Sequence, residues 1–314
     1  MRIGYPCINR SLDCQGDRTF RLKSYSEGRL VEVVGNNLAC LERMLRYNIG
    51  HGIGFLRVSS DVVPFASHPV CAFDWQAHFQ APLRRLGRLI RRHRLRISMH
   101  PDQFTLINSP DAGIFARSHA ELRYHADLLD GLGLGLDAKI QIHVGGVYGE
   151  RDAAIGRFIE RYARIDERVR RRLVIENDER CYPLADCLRI HAATGVPVLF
   201  DVFHHAILGD GTTVGAALAQ VAPTWRPADG LPMLDYSSQK PGARPGMHAE
   251  HLDRADFQRF LQASRPHDFD VMLEIKDKER SALAALDAAR RDPRLVCPVP
   301  QPPRRPESAG KERS

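Results

Sequence analysis

Short apolar segments recur along the chain, and each is followed by a polar loop and a stretch whose apolar residues have helical spacing. The eight segments are residues 1–6, 53–60, 94–101, 139–146, 172–178, 196–204, 231–238 and 270–276. They are rich in Val, Ile and Leu and do not alternate regularly with polar residues, which is typical of parallel strands covered on both faces. The pattern therefore predicts strands that alternate with helices.

The stretches between these segments carry apolar residues at steps of three and four, as at Leu38, Leu41 and Leu45. A strand followed by a helix, repeated along the chain, predicts an α/β fold of the (β/α)8 TIM-barrel type, in one domain over residues 1–291. A doubly wound sheet is the alternative fold. Residues 292–314 are rich in proline and charge, and we expect them to form a disordered tail.

Composition narrows the class of protein only a little. The net charge is +7 and the isoelectric point is near 9.2, which weakly favours a polyanionic partner. The opening MRIGYPCINR lacks the apolar stretch of a signal peptide, and no segment is long and apolar enough to span a bilayer. We therefore expect a cytoplasmic protein with no membrane association.

The cysteines point away from a disulfide or metal framework. They are Cys7, Cys14, Cys40, Cys71, Cys181, Cys187 and Cys297. Their number is odd and none form a C-x-x-C pair, so a disulfide framework, a zinc finger and an iron–sulfur cluster all lose support. We expect buried free thiols.

Histidines and carboxylates cluster where the predicted strands end or in the loops that follow. These residues are His68, His100, His143, Glu176, Asp201, His204, Asp235, His248 and Glu274. In a barrel the carboxyl ends of the strands meet at one face, where catalytic groups usually lie. Because buried carboxylates without partners destabilise a fold, we favour a site for divalent metal ions over a set of polar residues that satisfy one another.

The ligand types also limit the metal. Imidazole and carboxylate without thiolate suit Mn, Zn, Fe or Mg, and ligand softness does not decide between Mn and Zn. Several such ions, about 4 Å apart, suit phosphodiester hydrolysis because they activate water and stabilise the leaving oxygen.

At these residues the chain resembles a known family. The motifs that carry the resemblance are GYPCIN, LRVSSDVVPFASHP, SMHPDQF, IHVGGVYGE, IENDER, FDVFHHA, YSSQ, RPGMHAE and MLEIKDKE, in this order. Over roughly residues 1–279 the chain is similar to the UV damage endonuclease family. That family has a TIM barrel related to those of apurinic endonuclease IV and the sugar isomerases.

The resemblance implies an enzyme that nicks damaged double-stranded DNA immediately 5′ to a UV photoproduct, leaving a 3′-hydroxyl and a 5′-phosphate. It implies up to three divalent ions, with Mn favoured and Zn or Mg as alternatives, and a monomer is sufficient. Positions that match the family's ligands are His68, His100, His143, Glu176, Asp201, His204, His248 and Glu274. Of the candidate ligands, we assign Glu176, His100, His143 and Glu274 to catalysis.

Lesion recognition maps to two other segments. Gln103 and Phe104 match a Gln-Tyr pair that probes into the duplex, and Tyr5 and Asn9 match residues that line the lesion pocket. An aromatic wedge is chemically suitable because it replaces the stacking lost when damaged bases are flipped out. The alternative for Phe104 is a core aromatic.

Strand seven departs from the family pattern. Where the family commonly has Lys-x-His, with a lysine that can be carboxylated, this chain has Met233 and Asp235. Methionine cannot carry that modification, whereas Asp235 can act as an oxygen ligand, so we expect one altered metal site. Phe104, in place of Tyr, loses a hydroxyl but keeps the stacking face.

Two other functions stay open. The first is a metal-dependent sugar isomerase or epimerase on the same barrel, with a small closed pocket. The second is a damaged-DNA-binding protein without catalytic turnover.

Overall fold

Parallel strands form a closed barrel in the order β1 to β8, within residues 1–298, the part of the chain that this computed structural model describes. The strands are β1 Ile3–Pro6, β2 Phe55–Val58, β3 Arg96–Met99, β4 Lys139–His143, β5 Leu173–Glu176, β6 Val198–Asp201, β7 Met233–Tyr236 and β8 Asp270–Leu273. Strand β8 closes the barrel by pairing with β1, Val271 opposite Ile3. The predicted (β/α)8 barrel is confirmed, and the doubly wound sheet is wrong.

Helices follow the strands and cover the outside of the barrel. They are α1 Glu27–His51, α2 Trp75–His78, α3 Gln80–Arg92, α4 Ala112–Gly131, α5 Arg151–Ala163, α6 Glu167–Arg170, α7 Leu184–Thr194, α8 Val202–Leu208, α9 Val214–Val221, α10 Arg254–Ala263 and α11 Glu279–Ala288. The side chain of Ser26 caps the start of α1 by accepting from the Arg29 amide, and Gly52 ends it with a φ of 78°. The periodic residues Leu38, Leu41 and Leu45 are buried as predicted.

Charged residues fill the amino-terminal end of the barrel, which we call the barrel floor. They are Arg2, Arg96, Lys139, Asp229 and Asp270. Arg96 Nη1 lies 2.8 Å from Asp270 Oδ2, and the ammonium of Lys139 pairs with Asp229. Four of the five are buried, Arg2 being partly exposed, and every charge has an opposite partner.

The first residues of the predicted tail contact the barrel. Arg294 donates to the Leu261 carbonyl at 2.7 Å and to the His267 carbonyl at 2.9 Å, and the Val296 amide donates to the Met1 carbonyl at 2.8 Å. The chain therefore stays packed beyond the predicted domain boundary at residue 291. The rest of the predicted tail, residues 299–314, lies outside the described residues.

Cys14 and Cys40 form a disulfide, so the expectation of free thiols is wrong for this pair. Cys14 lies in the loop after β1, and Cys40 lies on α1 with its Cα 5.6 Å away, within the usual range for a disulfide. Sequence spacing does not reveal the pair, because the loop brings together residues that are 26 positions apart. Of the free cysteines, Cys187 is buried as expected, whereas Cys297 is exposed and the other three are half-buried.

None of the helices described within residues 1–298 combines the length and the apolar character that a membrane span requires.

Candidate metal centre at the barrel mouth

The carboxyl ends of the strands form a polar opening, which we call the barrel mouth, and strand register brings the predicted ligands together there. His143 on β4 lies opposite Glu176 on β5, and Asp201 on β6 lies opposite Asp235 on β7. Glu274 directly follows β8. Residues distant in sequence thus become neighbours because each occupies the same level of its strand.

The mouth contains three groups of side chains, and within each group the ligand atoms lie within 4.8 Å of one another. They are the imidazole group (His100, His143, Glu176), the His204 group (Glu176, Asp201, His204) and the carboxylate group (Asp201, Asp235, Glu274). Glu176 and Asp201 each belong to two groups, so the three form one continuous cluster. Imidazole and carboxylate at such spacing form a donor set for divalent ions.

Glu176 is the centre of this cluster. Its Oε2 lies 3.5 Å from His100 Nε2 and 3.8 Å from His143 Nε2, and its Oε1 lies 3.3 Å from His204 Nδ1. Burial disfavours the carboxylate charge, but the three imidazoles outweigh burial and hold the pKa of Glu176 well below its usual value. Glu176 is therefore an ionised oxygen donor with 1% of its surface exposed.

Asp201 is an incompletely satisfied carboxylate. Its Oδ1 accepts from the His204 amide at 2.7 Å, whereas its buried Oδ2 has no hydrogen-bond partner among the described residues. Burial raises the pKa of Asp201 well above its usual value; Glu176 and Asp235 add to the shift and His204 opposes it. Burial also opposes charge on His204, but Asp201 and Glu176 raise its pKa to about 11. A buried carboxylate oxygen that accepts no hydrogen bond fits a site for a bound cation.

Backbone carbonyls orient two of the imidazoles. His100 Nδ1 lies 2.8 Å from the Pro101 carbonyl, and His248 Nδ1 lies 2.7 Å from the Glu274 carbonyl. Because a carbonyl only accepts, each Nδ1 must carry a proton, and Nε2 is the ring nitrogen that each histidine directs at the carboxylates. His248 Nε2 lies 4.0 Å from Glu274 Oε2, beside the carboxylate group but outside it.

Arg57 on β2 was not assigned a role from the sequence, yet it reaches into the mouth. Its Nη2 lies 2.7 Å from both oxygens of Asp235 and 2.8 Å from Gln141 Oε1, and its Nη1 pairs with Glu274. Gln141 Nε2 in turn donates to Glu176 and Asp235, each at 2.5 Å. The sequence signal was an arginine inside the otherwise apolar segment IGFLRVSS. Such a residue needs a buried anion.

His68 does not join the three groups. It lies exposed in the loop between β2 and α2, where its Nδ1 accepts from the Val70 amide at 3.0 Å. The prediction of His68 as a ligand therefore has no support from its neighbours in this structure. A loop residue is placed by the conformation of its own loop, whereas strand-end ligands are placed by barrel register.

Gln103 and Phe104 occupy an exposed loop after β3. Phe104 is 71% exposed, so the alternative of a core aromatic is wrong. Gln103 lines a cavity of about 470 Å³ at the mouth, together with Cys7, His248 and Lys278. The loop places the Gln103 amide in the same cavity as His100 and His143 and leaves Phe104 exposed to solvent.

Tyr5 and Asn9 lie beneath the surface of the mouth. Tyr5 is fully buried and donates to Asn48 Oδ1 on α1 at 2.9 Å, and its hydroxyl accepts from Asn9 Nδ2 at 2.9 Å. Side chains alternate along a strand, so Tyr5 faces the helices and Pro6 faces the cavity, which Cys7, just beyond the strand, also lines. Tyr5 and Asn9 are not among the residues that line this cavity, and their predicted place in the lesion pocket stays a prediction.

Comparison with known proteins identifies the family. A sequence model described as UV-endonuclease UvdE matches residues 1–293. The chain belongs to this family. A UV DNA damage endonuclease from Bacillus cereus is 34% identical over 293 residues, which cover 90% of this chain and 92% of that protein.

Solved structures agree with this family membership. The crystal structure of SacUVDE is 42% identical with a TM-score of 0.88, over 92% of this chain and 98% of that chain. D-psicose 3-epimerase from Clostridium cellulolyticum is 14% identical with a TM-score of 0.53, over 80% and 92%. That likeness extends to the barrel fold alone, so the epimerase alternative gains no support from a shared site.

Proposed function

We propose that this UvdE-family protein is a metal-dependent endonuclease that nicks double-stranded DNA immediately 5′ to UV photoproducts. Relatives named UV DNA damage endonuclease support the substrate class. The observation that carries the metal dependence is the cluster around Glu176, where carboxylates and imidazoles converge and the buried Asp201 Oδ2 has no hydrogen-bond partner among the described residues.

The donor atoms fit divalent cations. His100, His143 and Glu176 would hold one ion, and Asp201 and His204 would share Glu176 to hold another. Nitrogen and oxygen donors without sulfur suit Mn, Zn and Mg, and the resemblance to the family favours Mn among them. Divalent ions in such a centre supply Lewis acidity toward a phosphodiester and lower the pKa of water.

The residues around the cavity suit a damaged DNA strand. Lys276 and Lys278 lie on the segment after β8 and line the cavity with Gln103, so cationic side chains face the place where a phosphate would enter. Burial lowers the pKa of Lys278. Phe104 presents its face to solvent, and aromatic side chains in such loops stack on unpaired bases.

Tyr5 and Asn9 have a supporting place in the proposal. Their mutual hydrogen bond, and that of Tyr5 to Asn48, hold the start of the loop after β1 against α1. We expect them to position Pro6 and Cys7 at the cavity wall. A lesion would then contact this segment without reaching the Tyr5 hydroxyl.

The test is incubation with a duplex that holds one defined photoproduct, with and without Mn²⁺, resolved on a denaturing gel. We expect one cut in the damaged strand, immediately 5′ to the lesion, that depends on the divalent ion and ends in a 3′-hydroxyl. Equal cutting of an undamaged duplex would contradict the lesion specificity. Binding without cutting under any divalent ion would support the non-catalytic alternative.

A further inference from the structure

The carboxylate group differs from the other two groups because it already contains an arginine, a cation that cannot become neutral. The Arg57 guanidinium contacts both oxygens of Asp235 at 2.7 Å through Nη2 and pairs with Glu274 through Nη1. The Arg57 side chain is 3% exposed, and that of Asp235 is fully buried. Two of the three carboxylates in this group are therefore already paired with a cation of the protein itself.

The imidazole and His204 groups lack such a partner. Across residues 1–298, Glu176 and Asp201 form ion pairs with histidines and with no lysine or arginine. Asp201 Oδ2 also lacks a hydrogen-bond donor. These two groups keep donor atoms available for a cation from solution.

A divalent ion on Asp235 would have to share that carboxylate with the guanidinium. Two cations that contact the same carboxylate repel each other strongly where water is excluded. Arginine does not lose its proton in proteins, so Arg57 cannot give way by becoming neutral. Met233, two residues before Asp235 on the same strand, offers only a soft thioether, which suits a hard ion poorly.

We propose that the Arg57 guanidinium takes the place of one metal ion, so that the protein binds two divalent ions, at the imidazole and His204 groups. Asp235 is then the ion-pair partner of Arg57 and not a ligand, in contrast to the sequence prediction. An aspartate at this position creates the pair because a neutral imidazole would offer Arg57 no anion. This inference rests on the proposed metal-dependent function and specifies its metal content.

The test is the number of manganese ions bound per chain. Protein stripped with a chelator is re-equilibrated with Mn²⁺, and bound metal is counted by plasma mass spectrometry and by calorimetric titration. We expect two ions in the wild-type protein. A wild-type count of three would overturn the inference but leave the metal-dependent function standing, whereas no bound ion would contradict the proposed function itself.

Asp201→Asn and Asp235→Asn are a matched pair of variants. Both residues are fully buried, and they lie opposite each other in the β6–β7 register. We expect Asp201→Asn to lose one ion and Asp235→Asn to keep both with unchanged affinity. Loss of an ion in Asp235→Asn would show that this residue is a ligand and would overturn the inference.

Arg57→Gln provides a gain-of-binding test. Without the guanidinium, the carboxylate group becomes free to bind, and we expect a third ion. Arg96→Gln is the control, because Arg96 is an equally buried arginine paired with Asp270 at the barrel floor, and its loss should leave the count at two. A folded Arg57→Gln variant that still binds two ions would contradict the inference. If the variant does not fold, the wild-type and Asp235→Asn counts decide.

Discussion

The two ends of the barrel handle buried charge in different ways. At the floor, Arg96 and Arg2 share Asp270, and Lys139 pairs with Asp229, so each buried charge has an opposite partner within the protein. At the mouth, Arg57 pairs with Asp235 and Glu274. Glu176 and Asp201, among the described residues, form ion pairs with histidines alone.

The pKa values of two buried aspartates reflect this difference. Burial opposes the charge on Asp229, but Arg226 and Lys139 outweigh it and lower its pKa. Burial raises the pKa of Asp201 well above its usual value, and neighbouring carboxylates add to the shift. Charges paired within the protein, as at the floor, contribute to folding. The excess negative charge at the mouth can instead bind a cation from solution.

The largest effect should come from Glu176→Gln at the mouth. An amide at the centre of the cluster removes a charged oxygen donor shared by two groups. We expect nicking of a photoproduct-containing duplex to fall by at least about a hundredfold, since even residues that only support metal ligands cost 10–100-fold. Gel-based rates measure this effect.

Glu176→Gln should also remove the rise in melting temperature that Mn²⁺ gives the wild-type protein, because that rise reflects binding to the folded state. The metal-free variant should melt at a lower temperature than the metal-free wild type, because the Glu176 charge is stabilised by three imidazoles in the folded state. A Glu176→Gln variant that binds metal fully and nicks at the wild-type rate would show that Glu176 is not a metal ligand.

Asp270→Asn should have the opposite consequences at the floor. The variant leaves the buried Arg96 without its anion, and breaking a buried pair in this way costs about 3–5 kcal/mol. We expect the free energy of unfolding, measured in urea, to fall by that amount, with nicking per folded molecule unchanged. A stable variant with impaired nicking would mean that the two ends are not functionally separate.

Phe104→Ala tests the rim of the mouth. Loss of a stacking aromatic should weaken binding to a lesion-bearing duplex by about 1–3 kcal/mol, and weaken binding to an undamaged duplex less. Stability should not change because the ring is 71% exposed. Leu231→Ala is the control, as an exposed apolar residue just before β7, at the floor end. An equal loss on both duplexes would contradict a role in lesion recognition.

The smallest effect concerns acid stability at the floor. The folded-state pKa of Asp229 is below the ordinary 3.8, so its ion pair contributes stability that is present above pH 3.8 and is lost as the pH falls below it. Asp229→Asn should therefore be less stable than the wild type at pH 7, and the gap should narrow toward pH 3. Urea unfolding at a series of pH values measures the gap. A constant gap would show that Asp229 acts through shape and not through charge.

Periodicity and strand-end chemistry were enough to predict the barrel and much of its site. The apolar segments predict parallel strands, and parallel strands in a closed barrel must bring their carboxyl ends together. For that reason His143, Glu176 and Asp201 could be assigned to one cluster before any contact was known. Such predictions succeed because the position of each residue depends on local pattern and on a topology with few alternatives.

Other features were decided only by tertiary structure. The pairing of Arg57 with Asp235 joins β2 to β7 across the barrel, and the burial of Tyr5 depends on Asn48 of a packed helix. His68 lies outside the cluster because its loop places it there. The sequence by itself determined which residue types reach the mouth. Contacts between residues far apart in the chain decide which carboxylate pairs with Arg57 and which side chains stay available for metal or DNA. The local sequence pattern does not encode those contacts.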